Sequence, residues 1–600
     1  MTPKTDFQPV SVDPIALVDS YLKNSDWRTK ENSNVIFSIG GLILHQSGNI
    51  SANYWLHKIY GEEIAHAHKE CDIHIHDLAG IMPYCAGWNI QDLLEQGLGG
   101  VKFKVNSAPA NHLNSAMQQV VNYLGILQNE WAGAQAFNSF DTYLAPFIKK
   151  DNMTEKEVRQ CMQTFLWGIN TPSRWGSQSP FSNVTLDLTC PDDIKDTHPV
   201  LGGKTMEFTY GECQEAMDMF NTQFFSVFEE GDSIGNIFQY PILTVNVTPT
   251  FRWDHPVTEK LFKLDAKYGS FYFTNMVNSD LKPEDLRSMC CRLLLDLREL
   301  RKNNGGLFGA AESTGSAGVV TINLPKMGYL SHSKDELLQR IGAQMAIARD
   351  SLELKRTVLT KLYNEGLYPY TKRYLPAGLA NHFSTIGVIG MNEMCRNFFK
   401  NTKKKDWGIS KEEGEKLCVD VLNYMRDKCA DFQEQTGNLY NLEAVPGEST
   451  CYRFAMYDKK KYPDIITAGT VAVPYYTNSC HLPVGHTDDP WDALRVQERL
   501  QTLFTGGTVF HTYAESNDVP WERVKDFIKK VIENTRIPYV TWSPTIRVCQ
   551  KHGMINDKNS GDTCPLCLAE TRQEYEKKLN ELEAKKAELE KTFEVKGDCL

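Results

Sequence analysis

Two adjacent cysteines at positions 290 and 291 are the residues of this sequence best suited to unusual chemistry. They are followed by Arg292, a run of apolar residues and a glycine-rich segment that begins with an Asn-Asn-Gly-Gly turn. Glycine allows the backbone to turn sharply and to approach a ligand closely. A thiol pair ahead of such a segment is a candidate reactive site. The alternative is that both cysteines are small residues of a buried core.

Four metal-ligand side chains near the C-terminal end have the spacing of a zinc site. Cys549-x-x-His552 and Cys564-x-x-Cys567 are two short pairs separated by eleven residues. Two such pairs can close a tetrahedron of soft ligands around Zn²⁺. Because four protein ligands leave no open position, the pattern predicts a structural zinc ion and not a catalytic one.

Polar residues in two turn-rich stretches could bind or act on a substrate. Glu443 and Glu448 bracket a Pro-Gly turn, so either at least one carboxylate is held in a cleft or both are exposed loop acids. Ser173 and Arg174 lie within residues 170–181, where serine, arginine and backbone amides suit a phosphate or a nucleobase.

Asp72, His74 and His76 alternate with apolar residues and should face one side of a strand. Two interpretations are open for this trio. It could bind a metal ion, or the histidines could be a hydrogen-bonded pair that supports the fold.

Apolar periodicity predicts the elements that position these groups. Residues 319–322 are β-branched and apolar, which is typical of a buried strand, whereas residues 293–300 fit either a strand or a helix. Further strands are predicted at 72–77, 183–188 and 238–247, and helices at 54–68, through most of 105–170 and beyond 325.

The composition bounds the class of protein. Six hundred residues, 41% hydrophobic and 23% charged, indicate one large globular domain with appendages. We expect a cytoplasmic protein, because neither a signal peptide nor an apolar run of membrane-spanning length is evident, and its 16 cysteines should then be reduced thiols, metal ligands or redox groups. The net charge of −11 argues against broad nucleic-acid binding.

Residues 288–325, SMCCRLLLDLRELRKNNGGLFGAAESTGSAGVVTINLP, closely resemble the active-site segment of the anaerobic, glycyl-radical (class III) ribonucleotide reductases. Similar blocks recur from about residue 25 to 567, including ISANYWLHKIYGEEIAHAHKECDIHIHDLAGIMPYCAGWNIQDLL and NLYNLEAVPGEST. The resemblance implies anaerobic reduction of ribonucleoside triphosphates to deoxyribonucleoside triphosphates for DNA synthesis.

The resemblance also implies a role for individual residues. Cys291 would lie at the tip of a loop inside a barrel and become the thiyl radical, and Cys85 would face it as a second redox thiol. Glu443 would be the general acid/base at the ribose. A phosphate-binding turn would comprise Gly447, Glu448, Ser449 and Thr450, with Arg453 in support. Ser316 occupies a position where the formate-using branch has asparagine, which favours the formate-independent branch and a thiol-based reductant.

The fold implied by the resemblance is a ten-stranded α/β barrel that encloses a finger loop and carries outer helices and a C-terminal zinc module. Residues 474–484 and 505–511 match strands near the substrate. The domains would be 1–24, a lead without the nucleotide-sensing cone; 25–540, the barrel; 541–567, the zinc module; and 568–600, a helical tail. The family has zinc there, normally with four cysteines, so His552 is a departure.

The resemblance further implies partners and cofactors. These are a radical-SAM activase with a [4Fe–4S] cluster that installs a glycyl radical, a thioredoxin- or glutaredoxin-like reductant, ATP or dNTP effectors, and a second subunit in a homodimer. No nucleic acid and no membrane are expected.

The pattern breaks after the zinc ligands. The Arg-x-x-Gly-Tyr radical motif is not found, and Gly597 is the one late glycine near the expected place. Tyr575, Leu579 and Leu582 instead begin a series of apolar residues that are alternately four and three positions apart. This spacing predicts a helix that packs on the body or on a partner. Three alternatives stay open: a glycyl-radical enzyme for another small molecule, a half-enzyme that needs a separate radical polypeptide, or a non-catalytic nucleotide-binding relative.

Overall fold

A computed structural model describes most of the chain. The described residues are 13–23, 37–173, 178–278, 286–289, 293–296, 313–483, 485–487, 489–514, 519–544, 547–549, 553–555 and 565–597. Within this part of the chain, no helix is long and apolar enough to cross a membrane.

The described α-helices alternate with strands through most of the chain. They are α1 Pro14–Leu22, α2 Ile39–Tyr54, α3 Glu62–Lys69, α4 Ile90–Gln96, α5 Leu113–Leu127, α6 Phe140–Asp151, α7 Glu155–Asn170, α8 Gln214–Glu230, α9 Pro256–Tyr268, α10 Leu324–Leu330, α11 Lys334–Glu365, α12 Pro369–Tyr374, α13 Met391–Lys403, α14 Glu412–Thr436, α15 Glu448–Lys461, α16 Pro490–Gln501, α17 Trp521–Asn534 and α18 Pro565–Gly597.

The described strands comprise one large sheet and four small hairpins. They are β1 Ile73–Ile75, β2 Cys85–Trp88, β3 Gln135–Phe137, β4 Ser182–Leu186, β5 Val200–Leu201, β6 Lys204–Thr205, β7 Ile242–Val247, β8 Phe271–Asn275, β9 Leu286–Met289, β10 Leu293–Asp296, β11 Thr314–Asn323, β12 His382–Ile389, β13 Leu439–Glu443, β14 Ala468–Gly469, β15 Pro474–Tyr475, β16 Phe510–Ala514, β17 Tyr539–Pro544, β18 Arg547–Cys549 and β19 Gly553–Ile555.

The large sheet is mostly parallel and consists of two halves. Its order is β13-β12-β11-β2-β3-β4-β7-β8-β17-β16, with β1 paired to β11 beside this path. Strands β2, β3, β4, β7 and β8 are parallel to one another, and the junctions β11–β2 and β8–β17 are antiparallel. The remaining five strands of the path therefore run in the opposite direction.

Backbone hydrogen bonds connect β13, the first strand of this order, with the residues just before β16, the last strand. The carbonyl of Leu442 in β13 accepts from the amides of Thr505 and Gly506 at 3.1 and 2.8 Å, and the amide of Ala444 donates to the carbonyl of Gly507 at 2.8 Å. Residues 505–507 lead into β16, so the segment before one edge strand is bonded to the other edge strand.

The two faces of the sheet differ in polarity. In β7, Leu243 and Val245 pack in a large apolar cluster with the helices, whereas Thr244 between them is equally buried on the other face. Thr244 Oγ1 accepts from Asn183 at 3.2 Å and lies 2.6 Å from the Tyr539 hydroxyl. The face turned away from the helices, called the polar face below, is therefore buried and lined with hydrogen-bonding groups.

The β9–β10 hairpin lies in the connection between the two halves of the sheet. Its strands pair Met289 with Leu293, so three residues, 290–292, connect them. Cα atoms of β9 lie within 8 Å of Cα atoms of β2. The hairpin therefore approaches the strand that begins at Cys85.

Several predicted elements are confirmed, and two need correction. Residues 319–322 lie in the fully buried β11, as predicted, and residues 293–296 form a strand, which is one of the two alternatives left open for that segment. The predicted single helix over 54–68 is wrong. Helix α2 ends at Tyr54, and one π-helical turn follows it to Ile59. Helix α3 starts only after Gly61, whose backbone is extended.

The prediction that residues 474–484 form a strand of the large sheet is also wrong. Among the described residues 474–483, only Pro474–Tyr475 is a strand, and it pairs with Ala468–Gly469 in a separate hairpin. A proline at this position has no amide hydrogen for a ladder, which suits a short edge strand. Asn478 instead forms an isolated bridge to Ile389 of β12.

His382, the first residue of β12, is fully buried, and neither ring nitrogen has a hydrogen-bond partner among the described residues. Its ring lies 5.3 Å from that of Trp131, and Arg356 donates to its backbone carbonyl at 2.7 Å. Burial, with a smaller effect from Arg356, lowers the pKa of His382 to about 3.

We expect His382→Leu to reduce the acid sensitivity of the fold. A histidine with a lowered folded pKa contributes stability above its unfolded pKa of about 6.5, and this stability is lost as pH falls toward the folded value. The substitution should therefore gain about 1.4 kcal/mol per pH unit below 6.5, or roughly 2 kcal/mol between pH 6.5 and 5. Urea unfolding at pH 7.5 and 5.0 measures this gain. His332→Leu, at an exposed position, is the control, and equal pH dependence of both variants would contradict the assignment.

Candidate active site

Cys85 begins β2 on the polar face and is only 4% exposed. It packs with Ala134, and its strand pairs with β11 so that Cys85 lies opposite Ser316. Gly315 makes this pairing possible, since any side chain there would collide with the carbonyl of Cys85. The thiol is therefore held in a fixed position within the sheet.

Ser316 is fully buried, and its hydroxyl is engaged by β11 and β12. Its Oγ lies 2.8 Å from Thr385 Oγ1 and donates to the carbonyl of Gly318 at 3.1 Å. The register of β11 on β12 shifts between Ser316 and Gly318. Ser316 thus supports an irregularity in β11 next to Cys85.

Cys291 lies outside the described residues, as do Cys290 and Arg292. Its position along the chain is nevertheless bounded on both sides by the paired residues Met289 and Leu293. The hairpin that contains it lies beside β2, the strand of Cys85.

Glu443 is the last residue of β13 and is 7% exposed, so it is not an exposed loop acid. Tyr440 and Leu442 of the same strand pack against the helices, which places Asn441 and Glu443 on the polar face. Gly506 lies against them, where an added Cβ would be 3.2 Å from Glu443 Cβ and 2.7 Å from Asn441 Nδ2. A larger residue at position 506 would therefore crowd Glu443 and displace the Asn441 amide.

Gly447 directly precedes α15, and no side chain caps this helix end. The Gly447 amide donates to Asn478 Oδ1 at 2.6 Å, and a side chain on Gly447 would collide with the Cys451 sulfur. The Thr450 amide donates to the Gly447 carbonyl at 2.7 Å. Ser449 is half-buried, and the side chain of Glu448 lies outside the described atoms. Uncapped helix N-termini of this kind bind phosphate.

Arg453 anchors α15 to β1. Its guanidinium donates to His74 Nδ1 at 2.9 Å and to the carbonyl of His68. Because arginine only donates, His74 accepts at Nδ1 and is neutral, with its hydrogen on Nε2. Burial, with smaller effects from His76 and Arg453, lowers the pKa of His74 well below its usual value.

The metal-site interpretation of Asp72, His74 and His76 is not supported. Asp72 is ion-paired with Lys326 at 2.6 Å, and His76 Nε2 lies 2.8 Å from Thr321 Oγ1. Among the described side chains, no group of three or more His, Cys, Asp or Glu could hold a metal ion. The three side chains are hydrogen-bonded to three different elements, Asp72 to α10, His74 to α15 and His76 to β11, which fits the alternative interpretation that they support the fold.

The predicted site at residues 170–181 receives less support. Ser173 is exposed in the loop after α7, and Arg174 lies outside the described residues. No described hydrogen bond joins Ser173 to Cys85 or Glu443.

Sequence reasoning missed a set of buried polar atoms on the polar face. Asn441 has neither amide atom hydrogen-bonded within the described structure, and the same holds for Asn183 Oδ1 and Thr185 Oγ1. Orphaned polar groups are costly unless a ligand or water satisfies them. Alternation of polar and apolar residues in β4 and β13 is the sequence signal that would have identified them.

The four zinc ligands are described only in part. Cys549 ends β18 and pairs with Gly553 of β19, so His552 falls in the three-residue connection between these strands. Cys564 directly precedes α18, and Cys567 is in its first turn. Side-chain positions are described for Cys567 alone. Three thiolates and one imidazole are ligands that zinc accepts, and the members of each pair are close in the sequence, at a strand end or at a helix start, so the donor set fits the ion.

Comparison with known proteins agrees with this architecture. Residues 31–577 match the family model described as anaerobic ribonucleoside-triphosphate reductase. The proteins of that name from Haemophilus influenzae and from Enterobacteria phage T4 are 23% and 22% identical, over 87% and 76% of this chain and 75% and 76% of theirs. The anaerobic ribonucleotide reductase of Thermotoga maritima, solved with dATP and CTP, has a TM-score of 0.71 at 20% identity, covering 92% of this chain and 90% of that one.

The structural likeness, at this identity, establishes the fold. The family model establishes the relationship, because it spans nearly the whole chain from before β1 into α18. The chain belongs to the anaerobic ribonucleoside-triphosphate reductase family.

Proposed function

We propose that this chain reduces ribonucleoside triphosphates to 2′-deoxyribonucleoside triphosphates by thiyl-radical chemistry in the absence of oxygen, as its family does. The observation that carries this proposal is the β9–β10 hairpin. Its three-residue connection contains Cys291, and its first strand lies beside the strand of Cys85.

The large sheet closes into a ten-stranded barrel, with the hairpin as its internal finger loop. Support comes from the ten strands of the sheet path and the hydrogen bonds from β13 to residues 505–507. The buried polar face, which lies opposite the face that packs on the helices, also fits the inside of a barrel. Residues 25–540 comprise this domain, although β17 extends to Pro544.

The substrate binds on the polar face with its triphosphate at the start of α15. The turn of Gly447, Glu448, Ser449 and Thr450 binds the phosphates at the helix N-terminus. The amides of Gly447 and Thr450 then exchange their present acceptors, Asn478 Oδ1 and the Gly447 carbonyl, for phosphate oxygens. Arg453, which is hydrogen-bonded to His74, holds the start of α15 in the position that the phosphate contact needs. The orphaned amide of Asn441 is available to the ribose beside Glu443. Ser173, Arg174 and Ser316 are proposed as more distant contacts or supports of the nucleotide.

The reaction proceeds through side chains of the chain itself. The Cys291 thiyl takes the hydrogen from the ribose 3′ carbon. Glu443 and Cys85 deliver the proton with which the 2′-hydroxyl leaves as water. Cys85 then supplies reducing equivalents, and the 3′ hydrogen returns from Cys291. In total, the Cys85 thiol and one thiol of the redoxin are oxidised to a mixed disulfide, which the second redoxin thiol resolves, while one ribonucleotide becomes a deoxyribonucleotide and one water molecule. Burial protects the radical from water.

The unpaired electron is supplied by a glycyl radical that a radical-SAM activase installs with its [4Fe–4S] cluster and S-adenosylmethionine. Gly597 is the candidate radical glycine in this sequence, but it lies at the end of α18, whose residues 568–586 are exposed, so a radical glycine on a separate polypeptide is the alternative. A thioredoxin- or glutaredoxin-like protein reduces the disulfide, in line with the formate-independent branch. ATP or dNTP effectors and a homodimer complete the proposed assembly.

Glu443→Gln tests the acid/base role with almost no change in side-chain volume. We expect the rate of deoxynucleotide formation to fall about 10²–10⁴-fold, because the amide cannot transfer a proton. Nucleotide affinity should change little, and the limb of the pH–rate profile that reports this carboxyl should disappear. The measurement is anaerobic turnover by chromatography of nucleotides from pH 5 to 9. A variant that retains the parental rate and profile would exclude Glu443 as the acid/base.

The module at residues 541–567 binds zinc through Cys549, His552, Cys564 and Cys567. We expect about one zinc ion per purified chain by elemental analysis, and a large loss of metal on Cys567→Ala. Cys190→Ala removes a thiol elsewhere in the chain and is the matched control. Metal-free wild-type protein that is otherwise folded would refute this site.

A further inference from the structure

Helix α18 extends away from the rest of the described structure. It runs from Pro565 to Gly597, and each residue at positions 568–586 is exposed. The exposed residues include large apolar side chains, with 70% of Tyr575, 56% of Leu579 and 63% of Leu582 accessible. Of the two predicted alternatives, packing on the body of the same chain or on a partner, the first does not hold for this part of the helix. Its apolar side chains need another partner.

The apolar residues of α18 follow a heptad repeat. Leu568, Tyr575, Leu582 and Leu589 are seven residues apart and occupy the position conventionally called d. Leu579 and Phe593 lie four residues after two of them, at position a. A seam of a and d residues on one side of a helix is the signature of a coiled coil.

The charges that flank the seam are segregated by sign. Position e carries Glu576, Glu583 and Glu590, and position g carries Lys578 and Lys585. In a parallel coiled coil, a g residue faces the e residue of the next heptad in the other helix. Lys578 then faces Glu583 of the partner subunit, and Lys585 faces Glu590 of the partner subunit. An antiparallel pair would instead bring glutamate to glutamate and lysine to lysine.

We propose that α18 is an interaction surface for a second copy of this chain and pairs with it in parallel and in register. In a parallel pair, a partner helix with glutamate at position e and lysine at position g places opposite charges against those of α18. Helix α18 itself has this pattern. Arg572 and Lys586 occupy the other two a positions. Cationic residues there lower stability and limit the number of strands and the registers that are tolerated. The surface is separate from the barrel, so the proposal does not depend on the reaction proposed above.

Cross-linking of the full-length protein tests the arrangement. Tyr575→Cys and Leu582→Cys place a thiol at two d positions, which face their own counterparts only in a parallel, in-register pair. Under mild oxidation, each variant should give far more covalent dimer on a non-reducing gel than the parent chain. Ala584→Cys, at the exposed f position of the same helix, is the matched control and should give no more dimer than the parent.

Charge reversal provides a second readout in the Leu582→Cys background. Lys578→Glu or Glu583→Lys alone should reduce cross-linking by juxtaposing like charges, and the double exchange should restore it at unchanged net charge. An antiparallel pair can cross-link at most one of positions 575 and 582. Dimer at only one of them, equal dimer at 584, or no dimer above the parent would each overturn the proposal.

Discussion

Replacing Cys291 with serine is expected to abolish deoxynucleotide formation and to leave nucleotide binding intact. A hydroxyl has a stronger bond to hydrogen than a thiol has, so the serine cannot become the radical that attacks the ribose. Removal of the reactive group of a catalytic unit typically lowers kcat by orders of magnitude, and we expect a loss of at least about 10³-fold. Anaerobic turnover and equilibrium binding of the same ribonucleotide measure the two quantities.

Cys290→Ser is the matched control for this experiment, because it changes the neighbouring thiol in the same short connection between β9 and β10. It should retain turnover within a few-fold if Cys290 only packs. Residual deoxynucleotide formation by the Cys291→Ser protein, or equal losses in the two variants, would remove Cys291 from its assigned role.

Cys85→Ser should also abolish product formation, but at a later step. Cys85 is buried beside Ser316 and Ala134 and supplies the proton and reducing equivalents after the 3′ hydrogen has been removed. In the Cys85→Ser protein the ribose radical is not reduced after the 2′-hydroxyl has left, so the deuterium taken from the 3′ carbon stays on Cys291 and is released to water when the site opens. A substrate deuterated at the 3′ carbon should therefore still lose deuterium in this variant. The same loss should be absent from the Cys291→Ser protein. Mass spectrometry of the recovered nucleotide distinguishes the two.

Cys161 provides the control for Cys85, since it is a buried thiol on α7 in the helical layer. Cys161→Ser should retain turnover. Retention of turnover by the Cys85→Ser protein would show that the reducing equivalents reach the ribose by another route. Loss of both turnover and deuterium exchange would place Cys85 at the first step instead.

The buried strands were the part of the fold most visible in the sequence. Residues 319–322 are β-branched and apolar and lie in β11, a strand with both faces buried, as expected for a strand inside a sheet. His74 and His76 were expected on one face, and the T-shaped contact of their rings at 4.5 Å confirms it. Local composition determines such features, so they can be predicted without knowledge of the fold.

The wrong predictions concern segments whose structure depends on contacts between residues far apart in the sequence. Strand β3 has three residues in a region predicted to be helical, and it exists because β2 and β4 pair with it on either side. The break between α2 and α3 follows from a π-turn and Gly61, which interrupt an otherwise helical apolar period. Pairing partners of this kind are not encoded within a short window of sequence.

The candidate site shows the same division. Cys85 and Glu443 are predicted from the sequence segments that surround them. The structure shows in addition that both residues are buried on the polar face. The unsatisfied amide of Asn441 could not be predicted, because its lack of a partner depends on β13, Gly506 and the whole sheet around it. The support of α15 by Arg453 and His74 likewise joins residues 379 positions apart.

The most direct test of the account is whether the purified protein makes a deoxynucleotide. It would be incubated without oxygen with an activase, S-adenosylmethionine, a redoxin and CTP, and the nucleotides would be separated and identified by mass. We predict dCTP that accumulates over many turnovers and only when the activase is present. A protein that binds CTP and acquires a glycyl radical, detected by EPR, but forms no dCTP would contradict the account.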